Sequence, residues 1–555
     1  MKNRQKIALI SVYDKDGIDI FAKSLVEMGW KIISSGGTAK YLKEAGIENT
    51  DVAEITGMNP ILSHRVATLD PKIHGGLLAL NIPEHLAELE KYKIPWIDLV
   101  CNDFYPLEDE IKKNTPSALR QTQDTSPYTG GGRERVLEKT DIGGPTLVRS
   151  AAKGGRIVVC DKKDRSEVIQ WLKDGEPDRE NFLNNLRAKA EAMVSRYCAV
   201  SAEYHSGQKY QSIFGKRISE LAYGENAYQA PAFLNRIHGA KEDVLAITNW
   251  ELVAGSPMSY NNICDVDRMI QTITHIGAGM EKNLNSIPKI TLGVKHGNPC
   301  GVGVSDNQVE SISKMLEGDL RAIFGGSVML NFPVDEKIAD ELIHKHISEG
   351  RRLLDIVAAP SFTDEAIEIL SRKKGKCRLL VNPAISQAGI NALDSQKRFR
   401  YVRGGFIEQP NYTFVPDLTR QDLVGLQDII LAWAIGSTSN SNTITLVKNG
   451  RLYGNGVGQQ DRVGAAKLAI FRADDAAKFA QGQSLNSADL QGAVAYSDSF
   501  FPFPDAVEVL IDRGIKTIFS TSGSVNDDKI IELCKSKGVN LVMLPDKEAR
   551  GFYQH

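Results

Sequence analysis

The sequence predicts an α/β protein of several domains with a parallel sheet in its amino-terminal part. Two observations carry that prediction. At 555 residues the chain exceeds what one hydrophobic core serves, so two to four domains are expected. In its first part, short β-rich runs alternate with segments of helical periodicity, which favours parallel strands covered by helices. In order, "KIALISV" (6–12) and "KIISS" (31–35) read as strands, and "IDIFAKSLVEMG" (18–29) and "AKYLKEAG" (39–46) as helices. "WIDLVCNDFY" (96–105) and "GRIVVCD" (155–161) continue the strands. "KKNTPSALRQTQDTSPYTGGGRER" (112–135) interrupts the alternation with Thr, Ser, Gly and Gln, and reads as a surface insertion. An Ala-rich helical stretch from Glu180 to Ser206 closes the region, which sets the expected domains at 1–205 and 206–555. Beyond it, strands such as "ITLGV", "SVMLN", "RLLV", "TITLV" and "TIFST" again mix with helices such as "DEKIADELIHKHI" and "DDKIIELCKSKG", with no short repeat visible.

Composition excludes several classes. With 42% apolar and 25% charged residues the chain reads as folded, and a net charge of -2 gives no basic surface for nucleic acid. The seven cysteines form no C-x-x-C pair or zinc-spaced cluster and read as reduced, mostly buried thiols. No run of about 18 uncharged apolar residues is present, so a cytoplasmic chain without membrane contact is expected. "GNGVG" lacks the strand–turn–helix setting and the downstream acid of a nicotinamide-binding fingerprint, which argues against a dehydrogenase.

Two stretches carry chemistry. "SSGGTAK" (34–40) follows a strand and opens a helix, so paired glycines, free N–H groups and the helix dipole make an anion site. "SVYDK" (11–15) ends the first strand on the same edge, where open α/β sheets bind ligands. "KITLGVKHGNPCGVGV" (289–304) sets a lysine beside a histidine where an apolar run meets a glycine-rich turn. Neighbours within a strand face opposite ways, so Lys295 and His296 share one pocket only if the strand ends there, as Gly297, Asn298 and Pro299 suggest.

With "SVYDK", "SSGGTAKYLKEAGI", "DVAEITG", "KIHGG", "DIGGPTLVRSAAK", "YGENAYQ", "SYNNICDVD", "VKHGNPCG", "GNGVGQQDRV", "SDSFFPFPD" and "RGFYQH" in this order, the chain resembles the bifunctional AICAR formyltransferase/IMP cyclohydrolase family of purine biosynthesis. The resemblance implies a methylglyoxal-synthase-like parallel-sheet domain that closes formyl-AICAR to IMP. Two cytidine-deaminase-like α/β subdomains would follow, transferring formyl from 10-formyltetrahydrofolate to AICAR in a homodimer. It leaves open whether a monovalent cation binds. In the first domain it implies that Ser11, Lys15, Ser35, Gly36, Gly37 and Thr38 grip phosphate, with Arg65 and Thr68 near the nucleotide. Tyr105, Asp141 and Lys153 would be catalytic. In the second, Lys295, His296 and Asn442 would be the chemical trio. Tyr223, Asn262, Asp319, Arg462, Arg550 and Phe552 would hold nucleotide, and Phe500, Phe503 and Asp505 the folate.

The chain departs from the family at several of these places. Ala67 stands for a lysine, Asp70 for a histidine and Asp103 for an asparagine, which shifts the first site toward negative charge. Ala222 stands for an arginine, Ala322 for a serine and Asn440 for a lysine, and Arg321 is the candidate replacement cation. Both activities are expected. The alternatives are a formyltransferase with a weak or silent cyclase, one acting on another aminoimidazole nucleotide, or a non-catalytic descendant.

Overall fold

Five short strands in the amino-terminal part pair in one all-parallel sheet: β1 (Ile7–Ser11), β2 (Lys31–Ser34), β3 (Thr50–Asp51), β4 (Leu99–Asn102) and β5 (Ile157–Val159). Their order across the sheet is β3-β2-β1-β4-β5. Helices α1 (Ile18–Glu27), α2 (Gly36–Glu44), α3 (Val52–Thr56), α4 (Pro71–Leu78), α5 (Pro83–Lys91), α6 (Leu107–Asn114), α7 (Gly131–Glu138), α8 (Gly143–Lys153), α9 (Arg165–Lys173) and α10 (Arg179–His205) complete the unit. Residues two apart on a strand share a face. Ala8 and Ile10 therefore pack with Phe21 and Leu25 of α1 and Trp171 of α9, while Leu9 packs with Ile73 of α4, Leu147 of α8 and Ala190 of α10. Both faces are buried, as parallel strands require.

The computed structural model describes residues 4–62, 66–114, 131–237, 243–347, 349–419, 423–481 and 487–553, and the chain divides into the units Met1–Phe214 and Gly215–His555. Most of the stretch read as an insertion, 115–130, lies outside the described residues, as does Arg65. Among the described residues no helix is long and apolar enough to cross a membrane. Of the seven cysteines, Cys101, Cys160, Cys377 and Cys534 are buried, and Cys198 and Cys264 are exposed.

The second unit begins with a hairpin of β6 (Gly215–Leu221) and β7 (Ala232–Ile237), then β8 (Glu251–Ala254). A first run follows: α11 (Tyr260–Leu284), β9 (Lys289–Lys295), β10 (Asn298–Ser305), α12 (Gln308–Leu316), β11 (Ser327–Leu330), α13 (Glu336–His344), β12 (Ile356–Ala359), α14 (Asp364–Leu370) and β13 (Arg378–Val381). After the hairpin β14 (Lys397–Val402) and β15 (Gly405–Pro410) the same succession returns. It comprises α15 (Leu426–Ser437), β16 (Ile444–Lys448), β17 (Arg451–Gly456), α16 (Arg462–Gln481), β18 (Val494–Ser497), α17 (Asp505–Asp512), β19 (Thr517–Ser522), α18 (Asp527–Ser536) and β20 (Asn540–Pro545), with α19 (Asp546–Ala549) beyond it. One sheet of 11 strands results, ordered β20-β19-β18-β16-β17-β10-β9-β11-β12-β13-β8. Its halves meet where β10 pairs antiparallel with β17.

The repetition reaches single residues. Both halves carry a β-bulge in the second hairpin strand, with Cys300 the extra residue in β10 and Tyr453 in β17. Both hairpins turn through a pair with positive φ, His296 (53°) with Gly297 (72°) and Asn449 (56°) with Gly450 (71°). Such pairs make the two-residue turns whose twist matches the strands. α11 and α15 cover one face of the sheet and share a continuous core with it. On the other face α12–α14 and α16–α18 form two separate cores.

Glycine is required where these helices meet the strands. A Cβ on Gly301 would lie 2.1 Å from Met315 O, and one on Gly303 2.0 Å from Ser311 O. In the second half, Gly454 would meet Ala469 O and Gly456 would meet Ala465 O, each at 2.1 Å. Gly454→Ala must displace a helix backbone, so urea unfolding is expected to show a loss of about 1–3 kcal/mol. Gly405→Ala, where a methyl meets open space, should stay within about 0.5 kcal/mol. Equal effects at the two positions would refute the close-approach account.

Candidate active sites

In the first unit, chain order reverses across the sheet at β1 and β4, which is where open α/β sheets form their ligand crevice. Ser11 at the end of β1 and Ser35 after β2 bring their hydroxyls to 2.7 Å. Thr38 Oγ1 donates to Val12 O and accepts from Val12 N, both at 3.1 Å, tying the start of α2 to the β1 loop. Among the described residues no side chain caps α2, so the first-turn N–H groups of Gly36 and Gly37 stay open at the positive end of the helix dipole. Lys15 Nζ donates to Val12 O and to Tyr13 O (3.3 Å). Burial lowers the Lys15 pKa, while Asp103 and Asp14 pull it back up.

The β4 side of the crevice is acidic. Asn102 Nδ2 donates to Ser11 O at 2.5 Å, and its buried Oδ1 has no partner among the described residues. The Asp103 carboxylate accepts the N–H groups of Tyr13 and Asp14, the latter at 3.1 Å. Burial pushes the Asp103 carboxyl above the ordinary range, against those N–H bonds and the charges of Arg165 and Lys15. Asp141 Oδ1 accepts from Gly144 N at 2.8 Å at the start of α8. A methyl on Gly144 would come 2.8 Å from Asn102 Oδ1, and one on Gly143 3.2 Å from Thr68 Oγ1, so Asn102, Thr68 and Asp141 surround that helix end. Burial raises the Asp141 pKa, with repulsion from Asp103 adding to it. Tyr105 packs edge-on to Tyr13, its ring 5.2 Å away, and burial followed by Asp141 raises its hydroxyl.

The expected trio does not assemble. Tyr105 and Asp141 are neighbours, but Lys153 is the exposed last residue of α8, whose first turn holds Asp141's partner. A helix rises 1.5 Å per residue, so about 15 Å separates the two ends. Asp70 caps α4 by accepting from Lys72 N at 2.8 Å. His74, which the sequence reading left without a role, bonds Ser150 Oγ through Nδ1 at 2.9 Å and buries an Nε2 that has no side-chain hydrogen-bond partner among the described residues. Burial lowers its pKa, and it interacts with the Thr68 backbone.

In the second unit Lys295 ends β9 and His296 opens the turn, so both reach one cleft of about 330 Å³. Asp319 and Ala322 line it beside Tyr453, Asn455 and Arg472. Lys295 Nζ donates to Phe324 O at 2.8 Å. Asp319 Oδ1 accepts the N–H groups of Arg321 (3.1 Å) and Ala322 (2.9 Å). Arg321 itself pairs with Asp475 and is absent from the lining, so it does not supply a cation there. Asp265 of α11 holds the turn by accepting from Gly297 N at 2.7 Å. Asp428 of α15 does the same for Asn449 N and Gly450 N, each at 2.7 Å, in the twin hairpin.

Asn442 lies in the loop before β16, on the same sheet edge but three strand spacings from β9, roughly 14 Å. Its Nδ2 donates to Gln459 O at 3.0 Å. Around it, Arg462 pairs with the buried Asp498, and Arg550 with Asp546 at 2.5 Å. Arg550 also lies 5.9 Å from the Phe500 ring. The C-terminal tail clasps this loop: Tyr553 N donates to Ser439 O (3.0 Å) and Tyr553 Oη to Asp267 Oδ2 (2.8 Å). Arg268 Nη1 donates to Thr438 O (2.7 Å) and Asn440 Oδ1 (3.2 Å) while lying over the Tyr553 ring. Phe552 is half-buried, Phe503 is 60% exposed, and Asp505 is exposed at the start of α17. Of the expected wall residues, Phe500 is half-buried, whereas the intervening Phe501 is core. Asn262 Oδ1 accepts from Ser259 N at 3.0 Å in the capping box of α11, so that oxygen already has a structural task. Tyr223 is partly exposed, its carbonyl accepting from Tyr260 N at 3.0 Å.

Residues 151–472 match the family model described as AICARFT/IMPCHase bienzyme, and residues 17–146 that of the MGS-like domain. The chain is 36% identical over 98% of its length to the bifunctional purine biosynthesis protein PurH of Anoxybacillus flavithermus, covering 98% of that protein. The PurH of Deinococcus deserti is 32% identical, over 98% of this chain and 99% of its own. That of Bacillus mycoides is 33% identical, over 97% and 98%. The crystal structure of ForH is matched over 37% of this chain and 100% of that one, at 29% identity and a TM-score of 0.31.

The acidic crevice gives a pH signature. A carboxyl whose folded pKa is raised stabilises the fold while protonated, and that contribution is lost as pH rises from the ordinary value near ~3.9 toward the raised one. Asp103→Asn removes the charge, so its melting temperature relative to the parent chain is expected to rise as pH increases from weakly acidic to neutral. A difference that stays constant or shrinks would show that the Asp103 charge carries no penalty.

Proposed function

Because the chain belongs to the AICARFT/IMPCHase bienzyme family, formylating AICAR and closing formyl-AICAR to IMP, we propose that its Gly215–His555 unit performs the transfer and its Met1–Phe214 unit the closure. The observation that carries the transfer assignment is that Lys295 and His296 share one cleft at the end of β9. The formyl donor is 10-formyltetrahydrofolate. The amine of AICAR attacks the formyl carbon and gives its proton to His296. The bond from that carbon to folate N10 then breaks, and the Lys295 ammonium supplies the proton to N10. Asn442 hydrogen-bonds the formyl oxygen as it gains charge. With Asn442 roughly 14 Å from β9 in the same sheet, the site is completed between two copies of the chain, a homodimer.

For closure, the carboxamide nitrogen attacks the formyl carbon and the resulting carbinolamine loses water. Ser11, Ser35, Gly36, Gly37, Thr38 and Lys15 hold the phosphate at the α2 end. Asp141 and Tyr105, in contact at the crevice, move the protons, and Asn102 Oδ1 accepts a substrate N–H. Intramolecular closure begins with a high effective molarity, which supports a working cyclase despite Ala67 and the distant Lys153.

With AICAR and 10-formyltetrahydrofolate, tetrahydrofolate release and IMP formation followed at separate wavelengths should rise together. Lys295→Ala should slow both by about 10²–10³-fold, and His296→Ala by about 10²–10⁴-fold. Formyl-AICAR accumulating in the parent chain would assign a weak cyclase. No folate release at saturating AICAR would sink the assignment.

A further inference from the structure

Two groups in the Lys295 cleft take no part in the chemistry above. Asn298 Nδ2 donates to His296 O at 3.1 Å, which fixes the side chain, but its buried Oδ1 has no partner among the described residues. Arg472 of α16 lines the same cleft and makes no ion pair or hydrogen bond among the described residues. Nearby cations are engaged: Arg321 pairs with Asp475, Arg513 with Asp474 and Arg451 with Glu317. The acid of the cleft, Asp319, turns one oxygen onto its own turn. A buried acceptor left unpaired is costly, and an uncommitted guanidinium presents a planar fork matched to phosphate or carboxylate. The bulge at Tyr453 and the close seating of α16 on Gly454 and Gly456 fix the wall that carries Arg472.

We propose that Asn298 and Arg472 form a two-point recognition site for the transferase's substrate, Asn298 Oδ1 accepting a ligand N–H beside His296 and Arg472 binding the ligand's anionic end. The inference rests on the formyl-transfer reading. The anion is either the phosphate of the aminoimidazole nucleotide or the glutamate carboxylates of the folate.

Steady-state kinetics of Arg472→Ala, varying each substrate in turn, separate these sources. The KM of one substrate is expected to rise about tenfold, with kcat changed far less, and Arg472→Lys should recover part of the loss. A rise for AICAR assigns the phosphate; a rise for formylfolate that grows with glutamate number assigns the carboxylates. If the parent chain transfers formyl and neither KM moves, the recognition site is refuted while the activity stands. If the parent chain transfers nothing, the formyl-transfer reading fails. Calorimetric titration of AICAR and of p-aminobenzoylglutamate into parent and Arg472→Ala then decides the site: weaker binding of either in the variant supports it, and equal affinities overturn it.

Discussion

The carboxyl-terminal unit depends on helices lying directly on strand backbone. Where α12 meets β10 and α16 meets β17, helix carbonyls occupy the space that a Cβ would need. Each close approach sits beside a bulge, and each bulge turns one residue, Cys300 or Tyr453, out of the regular ladder and into the cleft lining. The hairpin end that presents Lys295 and His296 is therefore fixed from behind by packing as well as by its own hydrogen bonds. Asp265 adds a second restraint by holding Gly297 N. Two and three residues further along, Asp267 and Arg268 reach the tail and the loop before Asn442. A single stretch of α11 thus braces both groups assigned to formyl transfer.

The two sites differ in electrostatic character. At the first, Asp14, Asp103 and Asp141 gather near a helix amino end, with Lys15, Lys162 and Arg165 beside the first two. The Asp103 carboxylate takes two backbone N–H groups that an incoming anion could otherwise use. At the second, the expected nucleotide cations Arg462 and Arg550 are already paired with carboxylates. At both proposed sites, then, groups suited to anion binding already hold internal carboxylates.

Much of this was legible in the sequence. The alternation of the first part gave the parallel sheet, and Gly297, Asn298 and Pro299 marked the strand end that lets Lys295 and His296 share a cleft. Three things were not legible, each for a physical reason. The internal repeat hides because its like strings mislead: with the bulges matched, Val294 stands where Val447 does but Gly293 where Leu446 does and Leu292 where Thr445 does, so the two "ITL" runs lie one residue out of step. The resemblance groups Lys153 with Asp141, and sequence spacing does not reveal that Gly143–Lys153 form one uninterrupted helix. Asn262 looked like a ligand contact and Asp70 like an added charge in the first site, but each sits at a helix start, where the backbone claims its oxygen first. Asp265 and Arg268 could have been noticed inside "CDVDR", yet nothing in that string says that one end faces a turn and the other the chain terminus.

The twin hairpin has a consequence of its own. Lys448, Asn449 and Gly450 repeat the lysine, the left-handed pair and the acidic clamp of Lys295, His296 and Gly297, at a position assigned no chemistry. There Lys448 is neutralised by Asp489 at 2.7 Å, and asparagine, a side chain well suited to positive φ, fills the turn. That second copy states what architecture alone demands of the turn. Subtracting it from the first leaves an imidazole in place of an amide and a lysine without a counter-carboxylate among the described residues. Within one polypeptide the bare turn and its functionalised counterpart can be compared side by side.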